Sequence, residues 1–353
     1  MNTPRRQRFA CWVLTGLVLV LAGGLAAAGK SDPIPPMSPS RSPVARVDYR
    51  GWHDSLVLSN GFVEAVVVPA IGRIMQFRLA GASDGPFWEN AALAGRNTGP
   101  GAGQWANYGG DKAWPAPQAD WDRIIGRGWP PPETFDGHPM GFAIDGAAVT
   151  LVSPVDAGYG IRVRRRIELA PDRPVMTVTT SYEMVTGQPL NVAVWVITQL
   201  KDPAAVYVLR PGVAPSGRVY VSQSDGTPAR LQVADGWLSL ARDPHQNRKI
   251  GARAATLVWV GGTELLRIDS ALVPGGVYPD GGSSAEIYTN ADPLAYVELE
   301  LLGPLTRLQP GDTLTRVSTY TLTRRTEQDP TIEIRRLLAA PAESPPPVNS
   351  PPR

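Results

Sequence analysis

Short segments that alternate in polarity or run apolar, with turn residues between them, restrict the fold of this chain more than any other feature. At least thirteen of them recur, among them SLVLSNG, FVEAVVVP, GIRVRRRIEL, PVMTVTTSYEMV and LNVAVWVITQL. Glycine and proline, 36 of each in 353 residues, separate them. Such patterning predicts β-strands, and this many strands predict an all-β fold, a large antiparallel sandwich with few short helices. DPTIEIRRLLAA near the C terminus indicates one helix.

The N-terminal segment has a different pattern. Arg5, Arg6 and Arg8 precede a long apolar run that ends in three alanines at 26–28, which is typical of an export signal peptide at residues 1–28. The run is about twenty residues long, enough to span a bilayer, so an uncleaved anchor is the alternative. We expect an exported protein, periplasmic or extracellular, that meets a membrane only through this segment if it stays attached.

Proline-rich stretches border the strand-rich region on both sides. Residues 29–46 predict a flexible linker, and residues 337–353 predict a disordered tail. Residues 47–336 then predict a single large β domain, since sandwiches often exceed two hundred residues as one unit.

Charge, cysteine and histidine content exclude several classes of function. The formal net charge is +2, which leaves no basic footprint for nucleic acid. The single cysteine, Cys11, lies inside the predicted signal, so disulfides and thiol catalysis are excluded in a processed chain. His53, His138 and His245 stand far apart without the spacing of metal ligands. We expect no nucleic-acid partner, no cofactor and a monomer. We also assign no metal ligands, while a calcium site built from aspartates and carbonyl groups in the long segment before Phe142 stays open as an alternative.

Residues 81–142 interrupt the strand pattern. They hold five of the ten tryptophans, together with Asp111, Lys112, Glu133 and His138. Their stretch NYGGDKAWPAPQ, with two glycines and two prolines, suits neither a helix nor a central strand and predicts a stiff loop. Indole rings beside carboxylates and a base match a sugar, whose ring stacks and whose hydroxyls form hydrogen bonds. Alternatively, the tryptophans pin the loop to the sandwich as a secondary core.

Three stretches resemble a known superfamily. LSNGFVEAVVVPAIGRIMQFRLAG (58–81) is similar to the opening strands of the galactose mutarotase-like supersandwich, and residues 275–322 are similar to its closing strands, including the turn LQPGD. YGGDKAWPAPQ followed by PPETFDGHPM resembles an uncharacterised bacterial branch, a domain of unknown function with a Gly-Gly-x-basic-x-Trp-x-Ala-Pro motif. The resemblance implies a β-supersandwich over residues 47–336 that binds a carbohydrate in a cleft of its concave sheet.

The resemblance also implies catalytic roles. Aldose epimerases use a glutamate in a late strand as the base, and SAEIYTN places Glu286 there. Trp195 stands where their histidine acid would be, and an indole cannot donate that proton. Epimerase activity would then need His138 or Lys112 as the acid, and we assign the catalytic roles to Glu286 and His138. Alternatively, Glu286 is a structural carboxylate paired with an arginine such as Arg73.

The expected binding site combines these residues. Arg73 and Lys112 would hold hydroxyls or a uronate, while Trp114 and Trp195 would stack on the ring. The remaining expected binding residues are Asp111, Glu133 and Tyr278. Two other functions stay open: a non-catalytic module for a protein or cell-wall partner, whose cleft is filled by its own aromatic residues, and a polysaccharide lyase or hydrolase. The latter would need two facing carboxylates, or a base facing Tyr278.

Overall fold

A computed structural model describes residues 43–97, 105–214, 219–222 and 226–339. Within these ranges, 21 strands alternate with short turns and few helices. The strands are β1 (Val44–Tyr49), β2 (Trp52–Ser59), β3 (Val63–Val68), β4 (Arg73–Leu79), β5 (Asp111–Ala116), β6 (Gly141–Asp145), β7 (Ala148–Val155), β8 (Ile161–Leu169), β9 (Val175–Met184), β10 (Leu190–Lys201), β11 (Ala205–Leu209), β12 (Tyr220–Ser222), β13 (Leu231–Ala234), β14 (Trp237–Leu240), β15 (Arg248–Ala252), β16 (Thr256–Val260), β17 (Glu264–Asp269), β18 (Ala285–Thr289), β19 (Tyr296–Leu302), β20 (Thr306–Leu308) and β21 (Thr313–Arg324).

The strands form two antiparallel sheets. The first sheet has 11 strands in the order β1-β2-β3-β4-β5-β10-β19-β18-β15-β12, with β20 paired to β10. The second has 10 strands in the order β13-β14-β11-β16-β17-β21-β9-β8-β7-β6. The predicted all-β antiparallel supersandwich is therefore confirmed.

The main core lies between the two sheets. Along β9, buried and partly exposed residues alternate, as expected for a strand with one face on the core. Leu56 and Phe77 of the first sheet share one apolar cluster with Val178 and Tyr320 of the second. By contrast, β10 and β19 are buried on both faces. The outer face of the first sheet is therefore also covered at its centre.

Two short α-helices lie outside the sheets, α1 (Trp121–Ile125) and α2 (Pro330–Ala339). Helix α2 is the segment that the sequence indicated as helical, and its buried Ile334 packs against Tyr207 and Val258 of the second sheet. No helix within the described residues is long and apolar enough to cross a membrane. The predicted signal peptide and most of the predicted linker and tail lie outside these residues. Strand β1 begins inside the predicted linker, and α2 runs three residues into the predicted tail.

The stretch expected to be a stiff loop contains a strand instead. Strand β5 lies between β4 and β10, which makes the loop prediction wrong for these residues. β5 pairs with β10 over six residues but with β4 only at Ile74–Asp111, so Pro115 can place its missing N–H on a side without a partner. A Cβ at Gly109 would lie 2.2 Å from the carbonyl oxygen of Trp88, so glycine is required for this close approach.

Candidate functional site

Charged side chains form rows on the outer face of the first sheet. Residues directly opposite each other in antiparallel strands point to the same face. Lys112 of β5 pairs with Ile197 of β10, Ile197 with Glu300 of β19, and Glu300 with Glu286 of β18. A second row, also built from direct pairs, holds Gln199, Glu298, Tyr288 and Lys249. We call Lys112, Gln199, Lys249, Glu286, Glu298 and Glu300 the polar cluster.

Lys249 lies at the centre of the tightest contacts in the polar cluster. Its Nζ is 2.7 Å from Oε2 of Glu286 and 2.8 Å from Oε2 of Glu300. Trp195 Nε1 donates a 2.7 Å hydrogen bond to the same Glu300 oxygen, and the Lys249 ammonium lies 4.5 Å from the centroid of the Trp195 ring. Lys112 Nζ lies 3.5 Å from Oε1 of Glu298. The Lys249 ammonium thus pairs with two carboxylates, whereas the Lys112 ammonium pairs with one.

The polar cluster is buried but incompletely bonded. Glu286 is 0% exposed, and its Oε1 has no hydrogen-bond donor among the described residues. Solvent reaches the cluster at one edge, where the side chains of Glu298 and Lys249 are 12% and 9% exposed. Buried polar atoms normally have partners, and Lys112 Nζ and both polar atoms of the Gln199 amide also lack hydrogen bonds within the part of the chain that the structure describes, so the polar cluster as a whole is a candidate binding site.

Burial and like charges shift the proton affinities of these groups. Burial raises the pKa of the Glu286 carboxyl well above its ordinary value, and Glu300 and Asp280 add to the rise while Lys249 opposes it. Burial lowers the pKa of the Lys112 ammonium, against the opposing influence of Glu298. Burial alone would also lower the pKa of Lys249, but Glu286 and Glu300 outweigh it and raise that pKa. Glu286 and Lys112 are thus both shifted toward their neutral forms.

Two aromatic groups flank the polar cluster. On one side, Trp114 and Trp195 are direct cross-strand partners with ring centroids 5.4 Å apart. On the other side, Tyr296 of β19 packs against Trp88, with ring centroids 4.6 Å apart. The polar cluster therefore lies between two aromatic borders, both of which involve tryptophans from the 81–142 segment.

The expected partners Asp111 and Lys112 point in opposite directions. Asp111 points into the space between the sheets, where it forms an ion pair with Arg165 of β8. It also accepts hydrogen bonds from Thr198 at 2.7 Å and from Tyr320 at 2.6 Å. Successive residues of a strand face opposite sides, so Lys112 joins the polar cluster and Asp111 does not. The role expected for Asp111 beside a sugar does not match this placement.

Arg73 is paired with Asp136 and not with Glu286, the partner considered from the sequence. Its side chain is 0% exposed and forms an ion pair with Asp136, while its Nη1 donates a 2.8 Å hydrogen bond to the carbonyl of Gly109. Asp136 further accepts hydrogen bonds from Trp105 and Trp114 at 2.8 and 3.0 Å. Arg73 therefore holds the 81–142 segment against the sheet and does not pair with Glu286.

The tryptophans form a packed cluster. Trp105, Trp114, Trp121 and Trp129 contact one another, and Trp114 and Trp121 also contact Trp195. Trp114 and Trp195 are 4% and 3% exposed, so neighbouring side chains cover the ring faces that were expected to stack on a sugar. Trp129, at 48%, stays open to solvent. This packing agrees with the alternative that the tryptophans pin the segment to the sandwich.

The described contacts of three other expected residues, Glu133, His138 and Tyr278, are with residues outside the polar cluster. His138 follows the Glu133–Phe135 turn, its ring bonds to the carbonyl of Pro139, and its own carbonyl contacts the Gly72 turn beside β4. Because β4 and β18 are four strand spacings apart, roughly 19 Å, His138 and Glu286 do not flank one sugar ring. Tyr278 accepts a 2.8 Å hydrogen bond from the Val273 amide in the β17–β18 loop.

Four residues of the polar cluster were not identified from the sequence: Gln199, Lys249, Glu298 and Glu300. A signal existed for two of them, because Glu298 and Glu300 alternate in the strand segment AYVELELLG and must share a face. No local pattern marks Lys249, since its place depends on the pairing of β15 with β18.

Solved structures support the fold expected from the sequence. A galactose mutarotase related enzyme from Lactobacillus acidophilus is 11% identical, with a TM-score of 0.52, and the match covers 78% of this chain and 99% of that one. A galactose mutarotase-like protein from Lactobacillus casei is 10% identical, with a TM-score of 0.53, and the match covers 76% and 100%. The chain thus has the galactose mutarotase-like fold.

The family follows from the sequence match. The model of the domain of unknown function DUF4380 matches residues 54–323, which is most of the chain. The chain belongs to this family, and the predicted resemblance is confirmed. No curated protein matches the chain at a significant level.

Proposed function

We propose that this chain is an exported carbohydrate-binding protein that holds one sugar ring at the polar cluster on the outer face of the first sheet, entered from the edge where Glu298 and Lys249 reach solvent. Support for export comes from the N-terminal pattern alone. Support for the site comes chiefly from Glu286, a fully buried carboxylate with an open acceptor oxygen beside a solvent-exposed edge. Sugar hydroxyls are donors and acceptors, and they would complete the hydrogen bonding of the polar cluster.

The spacing between Lys112 and Glu286 suits a monosaccharide. Lys112 and Glu286 lie three strand spacings apart, which is roughly 14 Å between their backbones. The Lys112 ammonium reaches across to Glu298 of β19, 3.5 Å away, so the span to be bridged is shorter than this backbone spacing. Hydroxyls at opposite sides of one ring would then reach both groups.

Epimerase-type proton transfer is a second candidate, and the opposite pKa shifts of Glu286 and Lys112 favour it. Glu286 would accept the proton of the anomeric hydroxyl while Lys112 donates a proton to the ring oxygen and the C1–O5 bond breaks. Reclosure on the other carbonyl face returns both protons and gives the other anomer. Groups with a pKa near the working pH are the effective acids and bases. Lys112 replaces His138 as the acid in this proposal.

Calorimetric titration with a panel of neutral monosaccharides and oligosaccharides tests binding. We expect heat of binding from at least one sugar, and a loss of about tenfold or more in affinity for Glu286→Gln, since a charged hydrogen-bond acceptor is removed. Glu168→Gln, the same change at an exposed position of β8, is the matched control and should bind as the unmodified chain does. Failure of every sugar to bind would overturn the proposal.

Polarimetry of a freshly dissolved single anomer tests the chemistry. The protein should accelerate mutarotation, and both Glu286→Gln and Lys112→Met should abolish the acceleration. Binding without acceleration would leave a carbohydrate-binding protein and eliminate the proton-transfer candidate.

A further inference from the structure

On the outer face of the first sheet, the polar cluster together with Asp280 holds more carboxylates than cations. Arg73 and Asp136 neutralise each other in a buried pair. The remaining cations are Lys112 and Lys249. The remaining carboxylates are Glu286, Glu298, Glu300 and Asp280. Asp280 interacts electrostatically with both Lys249 and Glu300.

The ion pairs of the two lysines do not neutralise all of these carboxylates. Lys112 is the ion-pair partner of Glu298, whereas Lys249 alone lies between Glu286 and Glu300. Glu286 Oε1 still has no hydrogen-bond donor among the described residues. The raised pKa of the Glu286 carboxyl shows that its anion lacks sufficient counter-charge. An entering cation would therefore stabilise the anionic form at this open oxygen, in surroundings of low dielectric constant where charges act strongly.

Each class of sugar would interact differently with this field. A uronate would add another carboxylate beside Glu286, Glu298 and Glu300, and the buried ammonium that has no hydrogen bond to any described residue, Lys112, already lies 3.5 Å from Glu298. A neutral sugar would offer only uncharged hydroxyl groups. A protonated amine would bring three donors and a positive charge to Glu286, and charge-assisted hydrogen bonds are about twice as strong as neutral ones. The partly buried Tyr288 would add aromatic surface that attracts cations.

We propose that the site selects a sugar that carries a free primary amine, with the ammonium bound at Glu286. A metal ion is a poorer occupant, because no group of three or more His, Cys, Asp or Glu side chains in the described part of the chain is arranged to hold one. The Lys249 ammonium already lies between the two carboxylates that a metal would need. This inference rests on the proposed carbohydrate-binding function and names the class of sugar.

Calorimetry with matched sugars tests the selection. Galactose, galactosamine, N-acetylgalactosamine and galacturonate, together with the same four derivatives of glucose, differ in charge at fixed ring stereochemistry. At pH 7 the amine should bind about tenfold or more tighter than the neutral sugar, the N-acetyl derivative should lose that gain, and the uronate should bind most weakly.

A variant that removes one nearby charge distinguishes the effect of the surrounding charge from that of direct contact with Glu286. Asp280 adopts a positive φ of 48°, which asparagine tolerates, so Asp280→Asn removes one negative charge without new backbone strain. It should reduce the ratio of amine to neutral-sugar affinity several-fold. Asp145→Asn, the same change at a side chain 82% exposed on the second sheet, should leave the ratio unchanged.

The outcomes distinguish the two proposals. If neutral sugars bind and the amine gains nothing, or if the uronate binds tightest, the amine selection is wrong and carbohydrate binding stands. If no sugar of either series binds, the proposed function fails and the selection fails with it.

Discussion

Asp111 and Glu286 are both completely buried carboxylates on the first sheet, yet the surroundings on its two faces differ. On the inner face, Asp111 is paired with Arg165 and accepts hydrogen bonds from Thr198 and Tyr320. On the outer face, Glu286 shares the ammonium of Lys249 with Glu300 and keeps one oxygen without a donor among the described residues. A complete polar network stabilises the fold, whereas an incomplete one at a solvent edge has room for a ligand.

The largest effect is expected from breaking the complete network. Asp111→Ala should lower the free energy of unfolding by about 3–5 kcal/mol, because it leaves the Arg165 guanidinium buried without its partner. Urea denaturation measures this change. Asp145→Ala removes the exposed partner of Arg166 and should change stability by no more than about 0.5 kcal/mol. Equal small losses in both variants would mean that the Asp111 network contributes little to the fold.

Removing the Glu286 charge from the incomplete network should affect stability much less than removing Asp111. Glu286→Gln should change the free energy of unfolding by less than about 1 kcal/mol at pH 7, since the amide removes repulsion from Glu300 along with attraction to Lys249. Its main effect should be on ligand affinity. A stability loss as large as that of Asp111→Ala would assign Glu286 a structural role.

The pH dependence of stability follows from the raised pKa of Glu286. Folding favours the protonated form, so this contribution is fully present below the ordinary value of 4.5 and is lost as the pH rises through the folded-state pKa. Glu286→Gln should therefore show a smaller decline in stability above pH 4.5 than the unmodified chain. Urea midpoints measured from pH 4 to pH 8 give the comparison, and parallel curves would contradict the shift.

The smallest effect is expected at the exposed edge of the tryptophan cluster. Trp129→Ala should weaken sugar binding by less than about tenfold, because this ring is open to solvent and can stack on a ligand at the border of the site. Phe62→Ala, at an equally exposed ring on the β2–β3 turn, is the control. Titration calorimetry compares the two variants. An unchanged affinity in Trp129→Ala would exclude that ring from the site.

The sequence predicts the two-sheet architecture because alternation within strands such as β9 is a local property. It also leads to Lys112 and Glu286, which lie in one row of the outer face. It misses β5, because Pro115 is excluded only from strands with partners on both sides, and partner strands come from distant segments.

Predicting the opposite orientations of Asp111 and Lys112 also requires knowing that β5 pairs with distant strands. Once β5 is known to be a strand, alternation separates the two side chains, but a loop assignment hides this. Lys249 was missed for a related reason, since its contacts arise from the pairing of β15 with β18.

The most direct test of the central claim is a crystal structure of the protein soaked with the sugar that binds most tightly in calorimetry. We expect the ring beside the polar cluster, within hydrogen-bonding distance of Lys112 Nζ and of the Glu286 carboxylate. Density for the sugar elsewhere, such as in the groove of about 440 Å³ lined by Pro211, Val213 and Leu338, would contradict the assignment of the outer face as the binding site.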